Sequence, residues 1–124
     1  QQGPRIAFQL LIYPVTGVPS DNTASYAANG EGHLLTRLSM EWFTNHYARG
    51  IADFDDPYFA PSRAKNLAGL PPAHIITAEF DPLRDEGEAY GARLIGAGVP
   101  TTIRRYDGQI HAFMSQDLLI RDVR

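Results

Sequence analysis

The stretch of sequence that decides the fold reads Ala73-His74-Ile75-Ile76-Thr77-Ala78-Glu79-Phe80-Asp81-Pro82. A short and mostly apolar run of this kind predicts a buried strand over 73–80, and Asp81-Pro82 supplies the turn chemistry that ends it. The segment Arg84–Ala97 then predicts a helix that stops at Gly98. The residues expected on its buried face are Leu83, Tyr90, Leu94 and Ala97. A buried strand followed by a helix is the building unit of α/β folds.

The segments on either side extend this alternation of strand and helix. Ile6–Tyr13 is apolar and rich in β-branched or aromatic residues, which predicts a strand covered on both faces. Thr101–Tyr106 predicts a third strand, half exposed by its charges and closed by Asp107-Gly108. Strands separated by helices indicate an α/β architecture with a mainly parallel sheet.

Two long connections separate these elements from a further helix. Val15–Gly32 is rich in Gly, Pro, Ser, Asp and Asn and predicts a surface loop, and Ile51–Pro72 predicts a proline-rich connection. Between them, apolar residues at helical spacing predict a helix over His33–Ala48. The stripe expected to pack into the core is Leu34, Leu35, Leu38, Trp42, Phe43 and Tyr47. A last helix is predicted to begin near Gln116 and to carry Leu118, Leu119, Ile120 and Val123.

The composition is that of one soluble globular domain. The chain has 124 residues, 44% of them hydrophobic, and a formal net charge of −3. A chain of this length buries roughly two thirds of the surface that its unfolded form exposes, which is enough for one core. No basic run points to a nucleic-acid partner, and no apolar stretch approaches the roughly 18 residues of a membrane span. The chain has no cysteine for disulfide or thiol chemistry, and a cytoplasmic location is the default expectation.

Asp81 and His111 are the candidate catalytic residues. Each follows a predicted parallel strand, so both side chains should emerge at the same edge of the sheet, where open α/β sheets place their sites. A carboxylate that fixes the tautomer of an imidazole and stabilises its protonated form makes that imidazole a general base near neutral pH. The alternative is structural: Asp before Pro often ends a strand, and a single loop histidine is often only solvated.

Other acidic residues near this edge favour structural roles. Asp85 and Glu86 stand in the first turn of the helix that follows, where acidic side chains interact favourably with the helix dipole. Glu79 lies two residues before Asp81 and could reach the site, although a buried, hydrogen-bonded role explains it equally well.

Three motifs in order and at consistent spacing carry a family resemblance. Leu70–Gly87, Ala97–Pro100 and Tyr106–Phe113 closely resemble the C-terminal half of the hormone-sensitive-lipase-like family of α/β-hydrolase esterases. Leu10–Pro14 and the segment 40–61 are also similar to that family. The resemblance covers essentially the whole chain.

The resemblance implies a Ser-Asp-His triad in which Asp81 matches the acid and His111 matches the general base. It implies no metal or organic cofactor and a small acyl ester as substrate. The chain has no G-x-S-x-G nucleophile motif and no HGG-type oxyanion motif, and it carries Ala112 where the family usually has glycine. Residues 1–124 are therefore expected to be the C-terminal segment of a single α/β-hydrolase domain whose nucleophile-bearing N-terminal part is absent, and inactive alone.

The resemblance also bears on partners and on rival functions. The family's counterpart of Thr101–Tyr106 is an edge strand that often forms a dimer, so homo-oligomerisation through this strand, or association with the missing N-terminal part, is expected. One rival is a small-molecule-binding protein on the same fold, like the plant gibberellin receptors, which have lost the triad histidine. Another is an inactive fragment that only self-associates through exposed apolar surface.

Overall fold

The structure, a computed structural model, describes residues 4–116. Its helices and strands run in the order β1 (Gln9–Ile12), α1 (Ala24–Asn29), α2 (Arg37–Tyr47), β2 (Ala73–Phe80), α3 (Arg84–Gly96) and β3 (Thr101–Ile110). Short 3-10 turns lie at Pro19–Asp21, Ile51–Asp55, Pro61–Arg63 and Phe113–Ser115. The helix expected near Gln116, with Leu118, Leu119, Ile120 and Val123, lies outside the described residues. No helix within residues 4–116 combines the length and the apolar character that crossing a membrane requires.

The three strands form a parallel sheet, as the sequence predicts, and their order in the sheet is β1-β2-β3. The central strand β2 has the predicted bounds, and α3 ends one residue before the predicted Ala97. Helix α3 packs closely on one face of the sheet at Gly91, where an added Cβ would lie 2.6 Å from the Ile103 Cδ1. The core on this face contains Leu67, Ala73, Ile75, Tyr90, Leu94 and Val99.

The predicted first strand Ile6–Tyr13 is shorter in the structure, and one of its faces is uncovered within residues 4–116, as expected for a segment that lacks the part packed there. Strand β1 pairs only over Gln9–Ile12, and within residues 4–116 it is an edge strand. Leu11 packs against the core under α3, whereas Leu10, on the opposite face, is 55% exposed. The apolar composition of the segment is typical of a strand that is buried on both faces. No described helix covers the face that carries Leu10.

The segment Val15–Gly32 is not a surface loop. It holds the 3-10 turn Pro19–Asp21 and helix α1, and both Val18 and Tyr26 are buried. The Thr23 hydroxyl accepts a hydrogen bond from the Tyr26 N–H and thereby caps α1. The same residue types that form turns also cap helices, which is why the composition favoured a loop over a short helix.

Helix α2 begins at Arg37 because Thr36 and Ser39 form a reciprocal cap at its N-terminus. Most of the predicted core stripe is exposed: Leu38, Trp42 and Tyr47 are 76%, 56% and 74% exposed. Leu35, which precedes the helix, does pack against the buried cluster of Tyr26, Met40 and Leu83. The one buried residue of α2 is Met40. Helical spacing identified the apolar face of α2, but spacing does not say which element covers a face, and none within residues 4–116 covers this one.

Strand β3 extends beyond its predicted end at Tyr106 to Ile110. Asp107-Gly108 does not close the strand but forms a bulge, in which three residues of β3 lie opposite the single residue Glu79 of β2. Gly108 takes a φ of +74°, a left-handed conformation that glycine adopts without steric cost. The dipeptide that usually marks a turn is here an irregularity inside a continuing strand.

Candidate active site

Asp81 and His111 lie side by side at the carboxyl ends of β2 and β3, as the sequence predicts. The Asp81 Oδ2 and the His111 Nδ1 are 2.8 Å apart. Asp81 is fully buried, whereas the His111 side chain is 22% exposed. The pair therefore joins a buried carboxylate to an imidazole that reaches the surface, and the expected proximity is confirmed.

The carboxylate of Asp81 is held by the turn that follows β2. Its Oδ1 accepts a hydrogen bond of 2.8 Å from the backbone N–H of Leu83, and its Oδ2 faces His111. Both oxygens are thus engaged, which compensates the carboxylate for its loss of water. The short Asp-Pro turn fixes the direction of the carboxylate because proline limits the backbone at position 82.

The imidazole of His111 packs against an aromatic cluster. The Tyr13 ring centroid lies 4.7 Å from that of His111, and the buried Phe113 contacts both Tyr13 and Tyr106. Tyr13 directly follows β1 and has a φ of +36°, an unusual backbone conformation for a non-glycine residue. The three parallel strands therefore each contribute to the surroundings of His111.

Ala112 adopts the conformation that glycine would take. Its φ is 65° and its ψ is 14°, in the left-handed region. Alanine pays a cost of about 1 kcal/mol there relative to glycine. The departure from the glycine usually found after the histidine therefore leaves the backbone path after His111 intact at a small cost in strain.

The N-terminus of α3 ties the loops that follow β1 to the Asp81 turn. The Asp85 carboxylate accepts the backbone N–H of Ser25 at 2.7 Å, and the Ser25 hydroxyl donates to the Pro82 carbonyl at 2.6 Å. Asp85 therefore does more than interact with the helix dipole. The sequence did not predict this long-range role, because it depends on α1, which was not expected.

Glu86 is a second tie and is almost fully buried. Its Oε1 accepts the backbone N–H groups of Thr16 and Gly17 at 2.6 and 3.0 Å, and the Thr16 hydroxyl donates to the Glu86 carbonyl. Within residues 4–116 its Oε2 has no hydrogen-bond partner. Burial raises the pKa of the Glu86 carboxyl, and the bonds from Gly17 and Thr16 oppose that rise.

The raised pKa of Glu86 predicts a pH-dependent stability. A carboxyl with a higher pKa in the folded than in the unfolded state binds more protons when folded, so the free energy of unfolding falls as pH rises above about 4.5. The quantity to compare is the free energy of unfolding of the wild type minus that of Glu86→Gln. We expect this difference to be larger at pH 5 than at pH 7.5. Urea unfolding of both proteins at the two pH values measures this difference. A difference that grows with pH contradicts the assignment.

None of the serines within residues 4–116 has its hydroxyl hydrogen-bonded to His111. The Ser25 hydroxyl bonds to Pro82, Ser39 caps α2, and the Ser115 hydroxyl donates to the Ala112 carbonyl. Ser62 is part-buried and its hydroxyl has no partner among these residues. In the same part of the chain, no three His, Asp or Glu side chains are grouped to hold a metal ion.

Comparisons with known proteins identify the family to which this fold belongs. A family model described as the alpha/beta hydrolase fold matches residues 1–115. The carboxylic ester hydrolase LipN of Mycobacterium tuberculosis is 41% identical over 115 residues, which are 91% of this chain and 30% of LipN. The chain spans about a third of the length of the curated relatives it matches.

Solved esterases share the fold of the described residues. A thermostable esterase from Pseudomonas putida is 48% identical with a TM-score of 0.86, covering 90% of this chain and 35% of the esterase. An ester hydrolase from the metagenome of Lake Arreo, solved with a bipyridine phosphonate derivative, is 44% identical with a TM-score of 0.89. That match covers 99% of this chain and 38% of the hydrolase. These matches confirm the family resemblance drawn from the sequence.

Proposed function

From the premise that the chain belongs to the alpha/beta hydrolase family, we propose that it supplies the acid and the general base of a carboxylic ester hydrolase. Asp81 is the acid and His111 the base. Residues 1–124 form the C-terminal segment of a single hydrolase domain, and a serine N-terminal to this segment is the nucleophile. The observation that carries the proposal is the 2.8 Å contact between a fully buried carboxylate and a part-exposed imidazole at the carboxyl edge of a parallel sheet.

The geometry of the pair suits proton transfer in ester hydrolysis. The Asp81 carboxylate accepts from the His111 Nδ1–H, which leaves the lone pair of Nε2 to take a proton. In the acylation step Nε2 accepts the serine proton as the serine oxygen attacks the ester carbon, and it then passes that proton to the departing alcohol. In the deacylation step Nε2 activates a water molecule in the same way, which releases the acid and frees the serine. Asp81 stabilises the imidazolium formed in each step.

The proposed substrate is a small acyl ester. LipN is a carboxylic ester hydrolase by name, and the solved relatives are esterases, which supports this substrate class. A second candidate function is that of a small-molecule-binding protein on the same fold. The retention of His111 beside Asp81 favours the enzyme, because a binding pocket has no need of a carboxylate-oriented base.

Hydrolysis of p-nitrophenyl acetate and butyrate by the full-length encoded protein tests the proposal. We expect turnover that a serine-directed phosphonate abolishes, and no turnover above that of free imidazole from the 124-residue chain by itself. Binding of small esters by the full-length protein without turnover supports the binding protein instead. Phosphonate-sensitive turnover by the 124-residue chain alone overturns the assignment of the nucleophile to a preceding segment.

We also propose that β3 takes part in assembly. Within residues 4–116 it pairs only with β2, so its other edge presents unpaired backbone groups. The two charges that could shield this edge are engaged elsewhere, because Arg105 pairs with Glu88 and Arg104 lies over the Tyr106 ring. We expect sedimentation of the full-length protein at micromolar concentration to give a dimer. A stable monomer contradicts this proposal.

A further inference from the structure

The bulge in β3 determines which residue stands beside Asp81. Before the bulge, Ala78 of β2 pairs with Tyr106, an offset of 28 residues along the chain. After it, Phe80 pairs with Ile110, an offset of 30, which is also the separation of Asp81 and His111. A regular strand that kept the first offset would place Gln109 beside Asp81. The bulge is therefore what brings a histidine to the carboxylate.

Glu79 is the residue of β2 that holds this bulge. It is the residue that the bulge faces, and its Oε2 accepts the backbone N–H of Gly108 at 2.6 Å. A bulge leaves backbone groups without their ladder partners, and a side-chain acceptor restores one of those bonds. The carboxylate of Glu79 thus replaces the carbonyl that a regular strand would offer to Gly108.

The backbone carbonyl of Glu79 is held by two side chains from neighbouring segments. Its carbonyl accepts from the Arg84 guanidinium at 3.0 Å and from the Asn29 side-chain amide at 3.3 Å. Glu79 therefore joins the base of the Asp81 turn to the bulge that precedes His111. A displacement of the bulge would be transmitted to His111 through only two intervening residues.

We infer that Glu79 is a positioning residue, whose carboxylate pins the Gly108 bulge and so sets the register of His111 against Asp81. This inference rests on the proposed function, since it assigns a role in the same catalytic pair. Glu79 does not touch the imidazole or the reacting atoms in this account. It acts through the backbone, and small displacements of a catalytic group reduce rates strongly.

Substitutions at Glu79 in the full-length protein separate positioning from charge. Glu79→Ala removes the acceptor, and we expect kcat to fall about 10- to 100-fold with KM changed less than about 3-fold. Glu79→Gln keeps an acceptor oxygen without the charge, so it should retain kcat within about 3-fold. The matched control is Glu88→Ala, which removes a carboxylate that bonds the side chains of Thr77 and Arg105, in the regular part of the sheet before the bulge, and bonds no backbone group of the bulge. It should leave kcat unchanged within about 3-fold.

Gly108 gives a second and independent variant. Gly108→Ala strains the bulge, because its φ is +74° although no atom lies within 4 Å of the added Cβ. Gly69→Ala is its control, since Gly69 has a φ of +78° and equally open surroundings but lies far from the bulge in sequence. We expect Gly108→Ala to lower kcat about 10-fold and Gly69→Ala to lower it less than about 2-fold, at similar losses of stability.

Two readouts distinguish positioning from general destabilisation. The Nδ1–H proton of His111, observed by NMR, should move or broaden in Glu79→Ala and Gly108→Ala and stay in place in Glu79→Gln. The second readout is the split between kcat and KM: lost positioning lowers kcat with KM nearly unchanged, whereas general destabilisation lowers the fraction of folded protein, which urea unfolding measures.

The results separate a failure of the Glu79 inference from a failure of the proposed function. The inference is overturned if Glu79→Ala keeps the wild-type kcat and His111 resonance, if Glu79→Gln is as impaired as Glu79→Ala, or if Glu88→Ala is equally impaired. Failure of the proposed function looks different, because the wild-type protein itself would then lack phosphonate-sensitive turnover. In that case the His111 resonance alone still tests whether Glu79 sets its position.

Discussion

Replacing His111 with alanine in the full-length protein is expected to lower kcat/KM for a small acyl ester by about 10⁴-fold or more. The reason is that the nucleophile loses the group that accepts its proton, while binding of the ester is retained. The loss should therefore appear in kcat, with KM changed much less. Steady-state hydrolysis of p-nitrophenyl butyrate measures both constants.

A matched histidine provides the control for this result. His74→Ala removes an imidazole at the start of β2, at the other end of the strand from Asp81, where its Nδ1 contacts the Thr102 hydroxyl. It should keep kcat within about 3-fold. Free imidazole should restore part of the activity of His111→Ala and none in His74→Ala. If His111→Ala retains more than a tenth of wild-type kcat/KM, His111 is not the base.

Replacing Asp81 with asparagine is expected to lower kcat by about 10² to 10⁴-fold with the fold preserved. An asparagine can still accept the Leu83 N–H, so the turn after β2 should survive. Its amide can instead donate to the His111 Nδ1, which favours the tautomer that carries the proton on Nε2 and blocks proton acceptance there. Circular dichroism and urea unfolding check the fold, and ester hydrolysis measures kcat.

A double variant tests whether Asp81 acts through His111. If Asp81 acts only through His111, the double variant Asp81→Asn/His111→Ala should be no slower than His111→Ala alone. Asp53→Asn is the matched control, because Asp53 forms an exposed pair with Arg49 that has no contact with the site. Multiplicative losses in the double variant would show that Asp81 and His111 do not work as one unit.

The sequence could predict the central part of the fold because the apolar composition of the central strand agrees with its buried position in the sheet. The run Ala73–Phe80 is mostly apolar, it is central in the sheet, and most of its residues are buried, so its predicted bounds agree with the structure. Asp81 follows directly from where that strand ends. The order of strands and helices also predicts His111 beside Asp81. It does not predict the bulge that brings His111 there, because Asp107-Gly108 is a dipeptide that usually ends a strand.

The prediction failed where burial depends on a covering element. Trp42 and Tyr47 show the same helical spacing as core residues, yet they are exposed in the described residues. Conversely, Tyr26 is buried within a segment whose composition favoured a loop. The ties made by Glu79, Asp85 and Glu86 could not be predicted either, because each joins a side chain to a backbone N–H distant in sequence. Hydrophobic periodicity indicates which face of a helix or strand is apolar. It carries no information on hydrogen bonds between segments that are distant in sequence.

Mapping the serine that a phosphonate modifies tests whether Asp81 and His111 serve a nucleophile that lies outside this segment. The full-length protein and its His111→Ala variant are treated with a fluorescent serine-directed phosphonate, digested and analysed by mass spectrometry. We expect one modified serine per chain, located before Gln1 of this sequence, and loss of that modification in His111→Ala although the variant stays folded. Modification of a serine within the 124 residues, or modification that persists unchanged without His111, would contradict the claim that this chain supplies the acid and base of a serine hydrolase.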